Sequence, residues 1–151
     1  MTIAPSTVGD IIERNAALFP DKPAFVFEGR RISCAQFAAR VRKLANALAD
    51  GGLARGMRLA VLAQNCVEYF EAVGTAELTG TIAVTLNWRL APAELAQIVA
   101  DCNPTVLIFE ERFRSQTESL RAAGIIERFI VIGAAVEVAE RYEDVLAAGA
   151  D

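Results

Sequence analysis

The chain has 151 residues, of which 54% are hydrophobic, and its formal net charge is −4. This length suits one domain that buries about two-thirds of the surface of the unfolded chain, so a core needs neither disulfides nor a metal. The Lys and Arg residues are scattered, so no nucleic-acid surface is predicted, and no apolar run approaches the roughly 20 residues of a membrane span.

The N-terminus and the cysteines indicate a reducing compartment. The first ten residues, MTIAPSTVGD, have neither the basic start nor the apolar core of a secretory signal, so we expect a cytoplasmic protein. Cys34, Cys66 and Cys102 lie far apart, and the chain has no His, so neither a metal site nor a Cys/His pair is predicted. We expect all three cysteines to be buried small apolar residues.

The N-terminal third predicts a helix, a hairpin and a longer helix. Thr7 is placed as the N-cap of the first helix, with Asp10 in its first turn. A tight hairpin follows around Glu28-Gly29, where Gly supplies a positive φ. Ser33 can cap the longer helix, which Gly51-Gly52 ends. The apolar face of the first helix is expected to consist of Val8, Ile11, Ile12, Ala16 and Phe19, and that of the second of Phe37, Val41, Leu44 and Leu48.

From Met57 onwards, strands and helices alternate. The apolar runs MRLAVLA, TIAVTL, TVLIF and FIVI predict buried strands. Asn65 and Glu68 form an expected capping box for a helix that Gly80 ends, and Pro92 lies at the first position of the next helix. The buried stripe of that helix is expected to be Leu95, Ile98 and Val99. The predicted fold class is α/β, with a mainly parallel sheet flanked by helices and an N-terminal β-hairpin.

Three loops follow predicted strands, and ligands of open α/β sheets usually bind beyond the carboxyl ends of strands. These loops are Gln64-Asn65, Asn87 to Arg89, and Glu110-Glu111. Capping already explains Asn65, and acidic residues favour a helix start, so Glu110-Glu111 is interpreted as a solvated helix start. The chain has no GxGxxG after a strand, no GxxxxGK[ST] and no GxSxG, so no catalytic or metal residue is predicted.

A resemblance to a known family extends this interpretation. The segment QNCVEYFEAVGTAELTGTIAVTLNWRLAPAELAQIVADCNPTVLIF resembles a block of the AMP-forming acyl-CoA synthetases, whose superfamily includes luciferases and peptide-synthetase adenylation domains. The matching residues are Asn65, Glu68, Gly80, Asn87, Arg89, Leu90, Glu94 and Leu95. Upstream, the helix, the sequence PDKPA, the hairpin and the long helix resemble the opening of the same enzymes. The similarity spans about residues 7 to 132.

The resemblance implies that residues 1–151 form one domain, the N-terminal portion of the large adenylate-forming domain. Three motifs of the family do not occur in this sequence: the Ser/Thr/Gly-rich phosphate loop ending in Pro-Lys-Gly, the later Tyr-Gly-x-Thr-Glu type motif, and the catalytic Lys of a small C-terminal domain. We therefore expect an N-terminal fragment that is inactive alone and binds no cofactor.

For the parent enzyme, the resemblance implies an acid–thiol ligase. A carboxylate attacks the α-phosphate of ATP to give acyl-AMP, CoA then displaces AMP, and Mg²⁺ offsets phosphate charge. A fatty acid is the first expectation and an aryl acid the second. A free-standing α/β nucleotide-binding or interaction module without catalysis is the alternative. A homo-oligomer is also expected, because a sheet taken from a larger fold leaves apolar surface uncovered.

Two interpretations of Arg89 stay open. Its guanidinium could fasten the loop by hydrogen bonds to carbonyls or to Glu94, with Trp88 packed as a lid. Alternatively, the resemblance implies a phosphate contact, because the Arg of this Asn-x-Arg-Leu motif lies near the CoA nucleotide in related CoA ligases, and Arg suits bidentate recognition of phosphate.

Overall fold

The computed structural model describes residues 7–150. The helices are α1 (Val8–Leu18), α2 (Cys34–Asp50), α3 (Val67–Thr79), α4 (Pro92–Cys102), α5 (Arg114–Ala122) and α6 (Tyr142–Ala148). The strands are β1 (Pro23–Phe27), β2 (Arg30–Ser33), β3 (Arg58–Leu62), β4 (Ile82–Thr85), β5 (Val106–Glu110), β6 (Arg128–Ile132) and β7 (Glu140–Arg141), and a 3₁₀ turn, Glu111–Phe113, precedes α5. No helix in this part of the chain combines the length and the apolar character that a membrane crossing requires.

The centre of the fold is a five-stranded parallel sheet in the order β4-β3-β5-β6-β7. Strands β1 and β2 form a separate antiparallel hairpin. The chain moves from β3 to β4 in one direction and then returns past β3 to β5, so right-handed crossovers place the intervening helices on opposite faces of the sheet. The predicted fold class is confirmed, and the short edge strand β7 is an addition that no sequence pattern indicated.

The central strands are buried on both faces, which explains their continuous apolar sequences. In β3, Leu59 and Val61 belong to the core that packs under α2, α3 and α6. The alternate residues Ala60 and Leu62 belong to the opposite core, which packs under α4 and α5. The helices therefore form two layers with the sheet between them.

Local capping explains the first elements as predicted. The Thr7 hydroxyl accepts the Asp10 backbone N–H at 3.1 Å, and the Asp10 carboxylate accepts the Thr7 N–H at 2.8 Å. Ser33 and Gln36 repeat this reciprocal motif at the start of α2. The hairpin turn Glu28-Gly29 has φ values of 47° and 78°, so both residues adopt the left-handed conformation that a two-residue type I′ turn requires.

The predicted capping box at Asn65 is wrong. Helix α3 has Cys66 as its N-cap, and the Cys66 side chain makes no capping hydrogen bond. This shift of one residue puts Glu68 at the second helical position, where its carboxylate lies 3.5 Å from Arg30 instead of returning to the backbone. Asn65 is left exposed in the loop after β3.

The predicted apolar face of α1 is wrong in part. Val8, Ile11 and Phe19 are 49%, 38% and 44% exposed. The helix instead turns Gly9 towards α3, where an added Cβ would lie 3.0 Å from the backbone carbonyl of Glu77. A small residue at the contact brings the two backbones close together; Ile12 also faces α3, near Gly74, whereas Val8 and Ile11 lie towards the solvent.

In α4, two of the three predicted stripe residues are buried. Leu95 and Val99 are fully inaccessible, whereas Ile98 is 38% exposed. Residues four apart lie nearly in line along a helix, but Ile98 is rotated by about 100° from Val99, so it lies at the edge of the contact with the sheet.

A buried carboxylate joins α2, α3 and α6. Glu71 of α3 is fully inaccessible, and it accepts hydrogen bonds from Arg40 Nε at 2.6 Å, Arg40 Nη2 at 3.2 Å and the Tyr142 hydroxyl at 2.9 Å. Arg40 also donates to Glu143 at 2.7 and 3.1 Å. Burial raises the pKa of Glu71, although Arg40 and Tyr142 oppose this shift, and the hydrogen bond from Arg40 lowers the pKa of Glu143.

Replacing Arg40 tests how far the fold depends on this contact. Arg40→Met leaves the Glu71 carboxylate buried without a cation, so we expect the free energy of unfolding near neutral pH to fall by about 3–5 kcal/mol. Because burial raises the pKa of Glu71 in the folded state, the contribution of Glu71 to the free energy of unfolding is present below the unfolded pKa of 4.5 and is lost as the pH rises through the folded pKa. Arg40 opposes this rise, so its removal raises the pKa of Glu71 further. The destabilisation by Arg40→Met should therefore be smaller near about pH 5 than near about pH 8.

Urea unfolding at both pH values measures this difference. Arg114→Met is the matched control, because Arg114 pairs with Glu118 at 3.4 Å on the surface, where such pairs contribute at most about 1 kcal/mol. Equal losses for Arg40→Met and Arg114→Met would contradict the assignment.

Candidate functional site

The three predicted loops lie at one edge of the sheet, because β3, β4 and β5 are parallel and end together. Two of them, Gln64-Asn65 and Glu110-Glu111, flank the crevice between β3 and β5. The helices that follow these two strands pack on opposite faces, so this crevice is the topological switch point at which α/β sheets usually bind ligands.

The crevice opens into a cleft of about 420 Å³ that the hairpin, α3 and α6 also line. Its charged side chains are two guanidinium groups and four carboxylates, contributed by Arg30, Arg112, Glu28, Glu68, Glu110 and Glu143. The mixture has a surplus of negative charge, which does not favour a nucleotide phosphate.

The interpretation of Glu110-Glu111 as a solvated helix start holds for Glu111, which is exposed and begins the 3₁₀ turn before α5, and is wrong for Glu110. Glu110 ends β5, and its carboxylate accepts the backbone N–H of Gln64 at 2.5 Å. Glu111 accepts the backbone N–H of Ala134 at 3.0 Å, and Arg112 donates to the Gln64 side chain at 3.0 Å. These side chains connect the loops after β3, β5 and β6, and they form no acid/base pair. Their partners are distant in sequence, so no local pattern could have indicated them.

Cys66 lines the cleft, and its thiol is not a nucleophile. Burial, with additional effects of Glu68 and Glu110, raises the pKa of Cys66 to about 12, so the neutral thiol predominates at physiological pH. The expectation of buried cysteines is confirmed for Cys66, whereas Cys34 and Cys102 are half-buried.

The loop from Asn87 to Arg89 is held by residues other than the Arg89 guanidinium. The Asn87 side-chain oxygen accepts the Arg89 backbone N–H at 3.1 Å, and Gln116 donates to the Trp88 carbonyl at 3.2 Å. The Trp88 ring stacks on Phe113, with centroids 5.9 Å apart and an interplanar angle of 26°. The loop is therefore attached to the segment that follows β5.

Arg89 lies at the surface beyond the edge strand β4, outside the cleft. Its Cζ atom lies 4.1 Å from the centroid of the Trp88 ring, and its guanidinium makes no hydrogen bond or ion pair with the residues that the structure describes. Glu94, the expected partner, instead accepts the Ala91 backbone N–H at 2.8 Å. Within residues 7–150, the Arg89 guanidinium therefore makes neither of the two expected hydrogen bonds, whereas Trp88 packs over the loop as expected.

A sequence model of the family described as "AMP-binding enzyme" matches residues 12–146. The chain belongs to this family. Within it, the chain is 40% identical over 112 residues to an indoleacetate–CoA ligase of Aromatoleum aromaticum. This alignment covers 74% of the chain and 22% of that relative. It is 34% identical over 104 residues to the fatty acid–[acyl-carrier-protein] ligase ScoC of Streptomyces coeruleorubidus, covering 69% of the chain and 20% of the relative.

Solved structures of AMP-binding enzymes share the fold. An anthranilate CoA ligase in complex with anthranoyl-AMP superposes with a TM-score of 0.92 at 27% identity, over 98% of this chain and 29% of the ligase. The N-terminal domain of FACL13 from Mycobacterium tuberculosis superposes with a TM-score of 0.85 at 26% identity, over 97% of this chain and 36% of that structure. The resemblance to acyl-CoA synthetases is confirmed, and the chain spans about a fifth of the length of the curated relatives described above.

Proposed function

We propose that this chain is the N-terminal portion of an ATP-dependent, AMP-forming acid–thiol ligase and that it contributes scaffold and one wall of the ligand sites. The observation that carries the proposal is the match of residues 12–146 to the AMP-binding enzymes. The superpositions on solved acyl-CoA ligase structures, with TM-scores of 0.92 and 0.85, support the proposal.

The proposed reaction has two balanced halves. In the first, a carboxylate oxygen bonds to the α-phosphorus of ATP and pyrophosphate leaves. In the second, the sulfur of CoA bonds to the acyl carbon, AMP leaves, and the thiol proton passes to solvent. Within residues 7–150, no group of three or more His, Cys, Asp or Glu side chains could hold a metal ion. No described residue is therefore assigned to Mg²⁺, which would offset the phosphate charge of ATP in the complete enzyme.

The carboxylic acid is proposed to carry a large apolar body. The relatives named for indoleacetate and for fatty acid support this class, and a feruloyl-CoA synthase of Amycolatopsis is 33% identical over 115 residues. Both expected substrates, a fatty acid and an aryl acid, belong to the class. The aryl acid gains more support here, since two of these three relatives are named for an aromatic acid, indoleacetate or ferulate.

Exchange of labelled pyrophosphate into ATP tests the proposal. The longer polypeptide that begins with this chain should catalyse exchange that depends on an added carboxylic acid, with a panel of arylacetic, cinnamic and fatty acids identifying the substrate. The 151-residue chain should catalyse none, because the phosphate loop and the catalytic Lys are absent from it. Exchange by the short chain, or none by the longer polypeptide with any acid, would refute the proposal.

Arg89 is proposed to contact a phosphate of CoA. Its guanidinium is exposed, unpaired within the described residues and placed at the carboxyl edge. In the complete enzyme, Arg89→Glu should raise the KM for CoA about tenfold or more, equivalent to about 1.4 kcal/mol of lost binding, and leave the adenylation rate near that of the wild type. Equal loss of both half-reactions, together with a lower melting temperature, would indicate a structural role.

A homo-oligomer of the 151-residue chain is proposed from its exposed apolar side chains. Val8, Ile11, Leu18 and Phe19 of the first helical segment are each more than a third exposed, and an apolar surface of this kind favours association. Light scattering should give at least twice the monomer mass, and Leu18→Glu should reduce it. A monomer at all accessible concentrations, without binding of a hydrophobic dye, would contradict this expectation.

A further inference from the structure

The Arg89 side chain is the outer layer of a three-layer stack. The innermost layer is Phe113, which is buried in the core under α4 and α5. The half-buried Trp88 ring stacks on it, and the exposed Arg89 side chain places its Cζ atom 4.1 Å from the centroid of the Trp88 ring. Each layer is progressively more exposed, so the stack extends from the core to the solvent.

Among residues 7–150, no group accepts a hydrogen bond from the Arg89 guanidinium, whose Cζ atom lies 4.1 Å from the Trp88 ring centroid. A cation–π contact occupies the flat face of Arg, whereas its five N–H donors point outward in the plane of the group. Two guanidinium groups elsewhere in the fold are instead occupied by carboxylates: Arg40 by Glu71, and Arg128 by Glu140 at 2.7 and 2.9 Å. Arg89 therefore has the ring contact of an ordered side chain together with the free donors of an unpaired one.

The indole is itself held in place. Gln116 fixes the Trp88 carbonyl, Asn87 fixes the next backbone N–H, and Phe113 supports the ring from below. Free Arg side chains are mobile, and ordering such a side chain on binding costs about 0.5–1.5 kcal/mol. A ring that already orders the guanidinium removes part of that cost.

We propose that Trp88 is a positioning residue that holds the Arg89 guanidinium ready for bidentate binding of a phosphate group. The inference rests on the proposed acid–thiol ligase function and assigns the phosphate to CoA. Trp88 acts through Arg89 and does not touch the ligand, so its removal changes the affinity for CoA and leaves the adenylation half-reaction unaffected. The geometry of a planar guanidinium is required, because an ammonium group presents neither the flat face nor the paired donors.

Steady-state kinetics of the complete enzyme test this role. Trp88→Leu, which removes the aromatic face, should raise the KM for CoA about threefold to tenfold. Trp88→Phe, which keeps a ring, should stay within about twofold of the wild type, and pyrophosphate exchange should be unchanged in both. Arg31→Lys is the matched control for Arg89→Lys, since Arg31 is exposed on the hairpin. Arg89→Lys should raise the KM for CoA and Arg31→Lys should not.

A double-mutant cycle separates positioning from general stability. If Trp88 acts only through Arg89, Trp88→Leu should add less than about twofold to the KM for CoA in an Arg89→Lys background. Full additivity of the two substitutions, or an equal rise for Trp88→Phe and Trp88→Leu, would overturn the proposal. The proposal would also be overturned if Trp88→Leu lowered the melting temperature and slowed pyrophosphate exchange in proportion.

The intrinsic fluorescence of the 151-residue chain tests the stack itself. Trp88 is the only Trp of the sequence, so its emission reports on the contact with Arg89. Arg89→Lys should change the intensity or wavelength of this emission and Arg31→Lys should not; identical spectra would overturn the proposal.

If the wild-type enzyme forms no thioester, the proposed function fails. If it forms the thioester and the KM for CoA does not respond to Trp88 or Arg89, the ligase function stands, and both the present inference and the proposed CoA contact of Arg89 fail.

Discussion

A carboxylate that is buried between three helices needs hydrogen-bond partners from its neighbours, and Glu71 obtains them from Arg40 and Tyr142. This contact constrains the rest of the structure because it fixes α2, α3 and α6 relative to one another on one face of the sheet. The amino-terminal ends of α3 and α6 form walls of the cleft. The shape of the cleft therefore depends on a polar contact inside the apolar core, where a misplaced hydrogen-bond partner lowers the free energy of unfolding more than it would at the surface.

Two kinds of contact organise the carboxyl edge. Around the crevice between β3 and β5, charged side chains such as Glu110 and Arg112 are occupied by the chain's own loops. At the outer edge, beyond β4, Arg89 has no such partner among residues 7–150 and rests on Trp88. The crevice between β3 and β5, whose charged side chains bind other loops of the chain, suits support of the sheet. The outer edge beyond β4, where Arg89 lies, suits contact with a charged ligand.

Local sequence was sufficient for much of the fold. The caps at Thr7 and Ser33, the hairpin at Glu28-Gly29 and the buried strands depend on residues within a few positions of each other, so their patterns are readable. The contacts of Glu71 join residues 31 and 71 positions apart, and the bond from Gln64 to Glu110 spans 46. Such pairs exist only once the sheet has assembled, which is why the sequence did not predict the contacts of Glu110 and Glu111 with other loops. The expectation of function came from the resemblance to a family, because no local motif of the chain indicated a reaction.

At the switch point of the sheet, the Glu110 carboxylate already accepts the backbone N–H of Gln64. In many α/β proteins, the backbone amides at this position receive an anionic ligand from solution, and here a tethered anion already fills the place. An intramolecular group acts at an effective concentration that a dissolved competitor rarely matches. A phosphate group that bound this backbone N–H would therefore first have to displace the Glu110 carboxylate.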